Sequence, residues 1–314
     1  MVVDSFIFFE ELDLLELRLT ILDAVVDRFV VVEGTRTFSG KEKPLHFAAH
    51  RERFAKWLPR IDYVVVDDWP VTDDPWVREN FQRNAIARGW EHLQAEDTVI
   101  LSDLDEIPKP QAVAANAGKG GYMWFMQCDH RGFINAQTVR RPIWSSGSRM
   151  FSLAAFRRIA EMKDFKYNKF APAAYNEGAT CVKARRLRGA VSIPDGGWHF
   201  SYLGGIESII RKIQAYSHQE RNTPEFLDPA RLKQMLLEGR DVRKGRPLLI
   251  SPVEELGLSE AALRVVAAHP EWVAPVQPAA VRARLERQLR WDMFKQCAFD
   301  RHFVMRMLRR WLPR

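Results

Sequence analysis

The residues most able to do chemistry lie in one stretch, Val99-Ile100-Leu101-Ser102-Asp103-Leu104-Asp105-Glu106-Ile107-Pro108. Its first three residues read as a short buried strand. Asp103, Asp105 and Glu106 then follow, and Pro108 ends the run. On an extended strand end, Asp103 and Asp105 point to the same side, because side chains alternate with period two. Two carboxylates on one side repel unless a cation lies between them. Mg²⁺ and Mn²⁺ suit such oxygens and bind through one or two carboxylates plus substrate phosphates. The plainer alternative is a polar strand-to-helix turn, with Glu106 near a helix N-terminus. The strand ahead of the carboxylates and the strand ends described next favour metal and phosphate chemistry, as sugar-nucleotide transfer requires.

Positioning these groups requires a sheet. Residues 3–9, Phe29–Val32, Tyr63–Val66 and Val99–Leu101 read as strands. Residues 10–26, 46–58 and 74–93 read as helices between them, the last with Asp74 and Pro75 as N-terminal signals. Strands of near-continuous Val and Ile alternating with helices predict a parallel sheet covered on both faces. Ligands then bind outside the C-terminal strand ends. Glu33 and Asp67 stand at such ends beside Asp103 and Asp105, suited to ribose or base hydroxyls, or else to capping the next helix. Strand character resumes over residues 121–134. A second loaded segment runs Gly196-Gly197-Trp198-His199-Phe200-Ser201-Tyr202, followed by a helix over 204–218. Helices over 154–162, 259–268 and 279–312 complete the reading. The expected division is a catalytic domain over 1–225 and a helical C-terminal extension over 226–314.

Composition narrows the function classes. The chain has 314 residues, 46% hydrophobic and 28% charged, without a low-complexity tract. No apolar run reaches the ~20 residues of a membrane span. Acidic residues interrupt the first apolar segment, which does not read as a signal peptide, so a cytoplasmic location is expected. Cys128, Cys181 and Cys297 have no metal-binding spacing and suit a reducing compartment. Residues 282–314 hold ten basic and three acidic residues and so account for the whole net charge of +7. The rest is balanced, which argues against a nucleic-acid partner. Val281, Leu285 and Leu289, and then Phe299, Phe303, Met307 and Trp311, recur at four-residue spacing among arginines. This basic amphipathic pattern predicts either packing on the domain or peripheral contact with an anionic inner-membrane surface.

Several segments together resemble glycosyltransferase family 17. They are FIFFEELDLLELRL at 6–19, VVVEGTRTFSG at 30–40 with Lys41 and Pro44-Leu45, ENFQRNAIA at 79–87, SDLDEIP at 102–108 and GWHFSYLGG at 197–205. The family includes the β-1,4-mannosyl-glycoprotein β-1,4-N-acetylglucosaminyltransferases, and this chain resembles a bacterial-type member. The resemblance implies an α/β, GT-A type Rossmann-like fold, a nucleotide-sugar donor such as UDP-GlcNAc, a glycan acceptor, a divalent metal and inversion at the anomeric carbon. It makes Asp103 and Asp105 the family's Asp-x-Asp and Trp198-His199 its Trp-His pair. It also sets Glu33 opposite the uridine and Arg83 near ribose and diphosphate.

On this reading Asp105 is the first metal ligand, with Asp103 meeting ribose or a metal-bound water. His199 is either a second ligand or a core histidine. An inverting transfer needs a base for the acceptor hydroxyl, and Glu177 is the first choice, with Asp195 and Asp129 as rivals. Arg149, Lys212 and His218 would steady the diphosphate. Trp124, Trp144, Trp198 and Tyr202 would stack on sugars, or fill the core. Two other readings remain from these residues: a non-catalytic sugar- or nucleotide-binding module, and a nucleotidyltransferase. The intact carboxylate pair disfavours the first. The lack of a Gly-rich phosphate loop after the first strand disfavours the second.

Overall fold

A computed structural model describes residues 1–160, 180–187 and 190–297. Its strands are β1 Val2–Phe8, β2 Arg28–Gly34, β3 Ile61–Val66, β4 Thr98–Asp103, β5 Glu106–Pro108, β6 Tyr122–Arg131, β7 Ala136–Thr138, β8 Ile143–Trp144, β9 Arg149–Ser152, β10 Val191–Ser201 and β11 Leu248–Ile250. They form one sheet in the order β11-β7-β6-β9-β4-β1-β2-β3, with β10 paired to β6 and β5, and β8 to β6. Strands β1 to β4 are parallel. β9 runs antiparallel to both β4 and β6, so β6 shares the direction of β4, and β10 runs parallel to β6. The long strands therefore all point one way, in the mixed, mostly parallel α/β architecture expected. The order β3-β2-β1-β4 is that of a Rossmann half-sheet.

Alternation decides which side chain meets which helix. Phe6, Phe29, Val31 and Ile100 face the helix Leu12–Leu22 in one core layer. Val3, Val30, Val32, Val99 and Leu101 face Ala85, Ile86 and Trp90 in the other. The helix read over 74–93 is α-helical only over Pro75–Ala85 and tightens to a 3-10 turn over Ile86–Trp90. There Gly89 lies so close to β2 that a Cβ would sit 2.4 Å from Val30. The 46–58 segment forms one short helix, His46–Ala49, and two 3-10 turns rather than a single helix.

On the first layer the alternation also carries Asp4 and Ser102 inward, and they meet Arg18 of Leu12–Leu22. Arg18 and Asp4 are both fully buried. The Arg18 guanidinium donates to both Asp4 oxygens, at 2.8 and 2.7 Å, and to Ser102 Oγ at 2.9 Å. It also donates to the backbone carbonyls of Asp103, Leu104 and Glu106, at 3.0, 3.0 and 2.7 Å. One side chain thus ties a helix, the central strand and the turn carrying the paired aspartates.

The C-terminal stretch is not helical throughout. β11 pairs antiparallel with β7 and so joins the main sheet. Trp272, Ala262 and Val266 enter the core layer of Leu12–Leu22. The helix Ala279–Cys297 lays Val281, Leu285 and Leu289 on Val139 and Leu249. The Gln296 side chain clasps the backbone of Ile143. Residues 298–314, with the second apolar repeat, lie outside the described residues. Among the described residues no helix is long and apolar enough to cross a membrane.

Arg18→Leu should lower stability by about 3–5 kcal/mol, because it strands the Asp4 charge in the core. The double change Asp4→Leu with Arg18→Leu should recover much of that loss. Denaturant midpoints of the three proteins check this; an unchanged midpoint for the single variant would refute the role given to Arg18.

Candidate active site

The paired carboxylates owe their convergence to a turn, not to strand alternation. β4 ends at Asp103, and the chain turns through Leu104-Asp105 into β5. Besides Arg18, two bonds hold this turn. The Asp103 N–H donates to Glu106 Oε2 at 3.0 Å, and the Phe200 N–H donates to the Asp105 carbonyl at 2.8 Å. Asp103 and Asp105 both line a cavity of about 430 Å³ at the C-terminal ends of the parallel strands. That volume suits a small-molecule ligand.

Cations compensate each carboxylate. Asp103 accepts from Arg83 at 2.5 Å and from Arg185 at 3.0 Å. Burial raises its pKa, but Arg185 and Arg83 outweigh that and hold it well below the usual range. Arg185 also grips the buried Glu106 with two bonds, of 2.7 and 2.8 Å. Glu79, one helical turn before Arg83, holds that guanidinium from the other side at 3.0 Å. Asp105 accepts from Lys212 Nζ at 2.9 Å, and Lys212 lies 3.2 Å from Glu11. Burial opposes its ionisation, and Lys212 and then His199 reverse the effect, so its pKa is lowered. Lys212 is shifted upward, its burial outweighed by Asp105 and Glu11.

His199 comes from β10. Its Nδ1 donates to Asp129 Oδ1 at 2.8 Å, which leaves Nε2 directed toward the paired aspartates. That Nε2 stands 3.7 Å from Asp105 Oδ1. The ring stacks on Trp144 with centroids 4.2 Å apart, and Trp144 Nε1 donates to Glu106 Oε1 at 2.6 Å. A histidine nitrogen and a carboxylate oxygen placed this way are ligand types that a divalent cation between them would take. Among the described residues no three His, Cys, Asp or Glu side chains form a metal cage. The fit is therefore to an ion taking two protein donors and completing its shell with phosphate oxygens and water, as Mg²⁺ commonly does. A carboxylate behind the histidine is the usual support for such a ligand.

Other predicted site residues lie elsewhere. Glu33 is fully buried and accepts from Lys43, from the N–H groups of His46 and Phe47, and from the Tyr63 hydroxyl, which is the capping alternative. Asp67 is exposed at the end of β3, and neither it nor Glu33 lines the cavity. Arg149 also lies off the cavity, where it stacks over Trp124 and bonds Tyr122 Oη and the carbonyls of Ser146 and Gly147. It thereby supports the loop that carries Trp144 and Ser146. Asp129 is buried between His199 and Arg131. Asp195 is 73% exposed and pairs with Lys109. Neither aspartate lines the cavity. Glu177 lies outside the described residues. His218 and Tyr202 line the cavity, whereas Trp198 is buried beside Phe200.

Sequence reasoning missed Arg18, Arg185, Arg131 and the supporting role of Glu106. Arg18 left a readable signal: it sits three and four residues from Leu15, Leu14 and Leu22, on the apolar face of its helix. Arg185 left none, since its partners lie 79 and 82 positions away.

Residues 1–134 match the model of glycosyltransferase family 17. The human β-1,4-mannosyl-glycoprotein 4-β-N-acetylglucosaminyltransferase is 32% identical over 111 residues, covering 33% of this chain and 21% of that protein. The mouse protein of the same name is 31% identical over the same length. The match thus spans about a fifth of these relatives' length. Among solved structures, the mannosyltransferase PcManGT from Pyrobaculum calidifontis, in complex with GDP-Man and Mn²⁺, aligns over 94% of this chain and 84% of its own, at 16% identity and a TM-score of 0.39. The family-17 match over residues 1–134 takes in Arg18, Arg83, Asp103, Asp105 and Asp129, so the paired aspartates and their supports lie within the part of the chain that resembles glycosyltransferase family 17.

Proposed function

We propose that the protein is an inverting, metal-dependent glycosyltransferase that moves N-acetylglucosamine from UDP-GlcNAc in β linkage onto a glycan acceptor. The observation that carries the reading is the Asp103/Asp105 turn on the cavity floor, faced by Arg83, Arg185, Lys212 and His199. The family-17 match over residues 1–134 and the names of the matched relatives support the activity and the sugar. Asp105 and His199 would hold the ion, with Asp103 beside them, and the ion would neutralise charge on the departing diphosphate. Arg83 and Lys212 are fixed before substrate arrives, so they orient the diphosphate without reorganising. Asp129 keeps His199 in one tautomer. With Asp129 and Asp195 both outside the cavity lining, Glu177 is the proposed base.

Basic residues and two exposed, stacked aromatics, Trp291 (57%) and Phe294 (42%), mark the outer face of Ala279–Cys297, with Lys295 over the Trp291 ring. They support the finer proposal that this face rests on an anionic bilayer, where aromatic and basic side chains together favour the interface.

Calorimetry should show UDP binding that strengthens with Mn²⁺, and Asp105→Asn should remove that strengthening; undiminished Mn²⁺ dependence in the variant would rule out the role. Glu177→Gln should leave UDP affinity within about twofold and reduce transfer by roughly 10²–10⁴-fold, the usual weight of a general base. Co-sedimentation with phosphatidylserine vesicles should be salt-sensitive and should weaken in Trp291→Ser/Phe294→Ser; equal sedimentation of the two proteins would leave that helix face without a membrane role.

A further inference from the structure

We infer that Arg243, with Arg131 behind it, binds an anionic group on the acceptor, a carboxylate or a phosphate, and so selects acidic glycans. This rests on the glycosyltransferase reading above and goes beyond it, since nothing in that reading requires a charged acceptor.

Arg243 belongs to the turn before β11 and lines the cavity. Among the other cations that line the cavity, Arg83, Arg185 and Lys212 are each paired with carboxylates. Among the described residues, Arg243 has no hydrogen bond or ion pair through its side chain, and its Nε is buried without a partner. A desolvated guanidinium left unsatisfied costs free energy that a ligand's anion would recover. Arg131 repeats the pattern one layer deeper. It is 6% exposed, holds Asp129 Oδ2 through Nε and Nη2 at 3.0 and 2.8 Å, and leaves Nη1 buried without a hydrogen bond. The nearest carboxylate to that Nη1 is Asp241, at 3.9 Å. Asp241 is itself engaged by the N–H groups of Arg243 and Lys244, at 3.1 and 3.2 Å. Burial, and then Arg131 and Arg221, lower the Arg243 pKa, with Tyr202 and Asp241 opposing. The positive potential at this wall is therefore under-compensated.

Position separates this group from the donor. Arg131 ends β6, three strands from β1 in the order β6-β9-β4-β1. At about 4.8 Å per strand, β4, the near edge of the Rossmann half, is two strands or roughly 10 Å across the sheet from β6. Arg131 also stands 5.8 Å from the Trp144 ring, which backs His199. The proposed anion site therefore sits beyond Trp144 and His199 from the Rossmann half, on the side this inference gives to the acceptor. Tyr202, held at φ +64° immediately after β10, completes this wall.

Calorimetry on the full chain, saturated with UDP and Mn²⁺, tests the site with methyl glucuronide, methyl glucoside and glucose 6-phosphate. One of the two anionic probes should bind about ten- to hundredfold more tightly than the neutral glucoside, as charged hydrogen bonds allow. The stronger of the two identifies the anion as carboxylate or phosphate. Arg243→Gln should reduce that preference to within about threefold while UDP affinity stays within about twofold. Equal or undetectable binding of all three probes by the native protein would overturn the inference. So would an Arg243→Gln protein that loses UDP affinity about tenfold and keeps its probe preference, since Arg243 would then serve the donor. Failure of the native protein to bind any of UDP, GDP and dTDP would instead overturn the glycosyltransferase reading itself.

Discussion

A fully buried arginine organises this molecule. Arg18 lies on a helix whose neighbouring positions are leucine, and its charge is tolerated only because Asp4 pairs with it through two bonds. A buried ion pair contributes little net stability by itself, and breaking it is severe. What Arg18 adds is specificity of position. The guanidinium offers five N–H donors in a rigid plane. Those not facing Asp4 reach Ser102 and three carbonyls of the following turn. The turn carrying Asp103 and Asp105 is thereby fixed to the sheet's central strand. A lysine in this place would hold the charge and lose the fork.

From that anchor the cavity is built as alternating charges. Asp103 sits between Arg83 and Arg185, Glu106 between Arg185 and Trp144, and Asp105 between Lys212 and His199. Each buried carboxylate requires its cation, because an unpaired charge in such a site is costly. The result is a set of donors and acceptors oriented before any ligand arrives, the condition under which electrostatic stabilisation of a departing anion is most effective. Arg149 takes no direct part, but without its bonds the loop presenting Trp144 would lack support.

The C-terminal stretch completes this arrangement. Asn135, just before β7, bonds the backbone at Ser251 and Ala274. β11 extends the sheet edge, and the turn before it delivers Arg243 to the cavity wall. Placing that turn against β6 and Tyr202 brings charges from three parts of the chain to one wall, with the aspartates on the cavity floor.

The amino-acid sequence alone determined the parallel half-sheet, because runs such as Val30-Val31-Val32 and Val99-Ile100-Leu101 are apolar on both faces and need cover on both. It also determined that Asp103 and Asp105 face one cavity, although the expected cause, strand alternation, was replaced by a turn. Local pattern is enough for such features, since period and spacing are properties of neighbouring residues. Tertiary structure decided the partners. Arg185 meets Asp103 and Glu106, and Asp129 meets His199 across 70 positions, through pairings that leave no periodic trace. It also turned Glu33 inward, where backbone N–H groups of the next helix claim it. A carboxylate at a strand end can serve a ligand or a helix terminus, and only the packing of the following segment settles which.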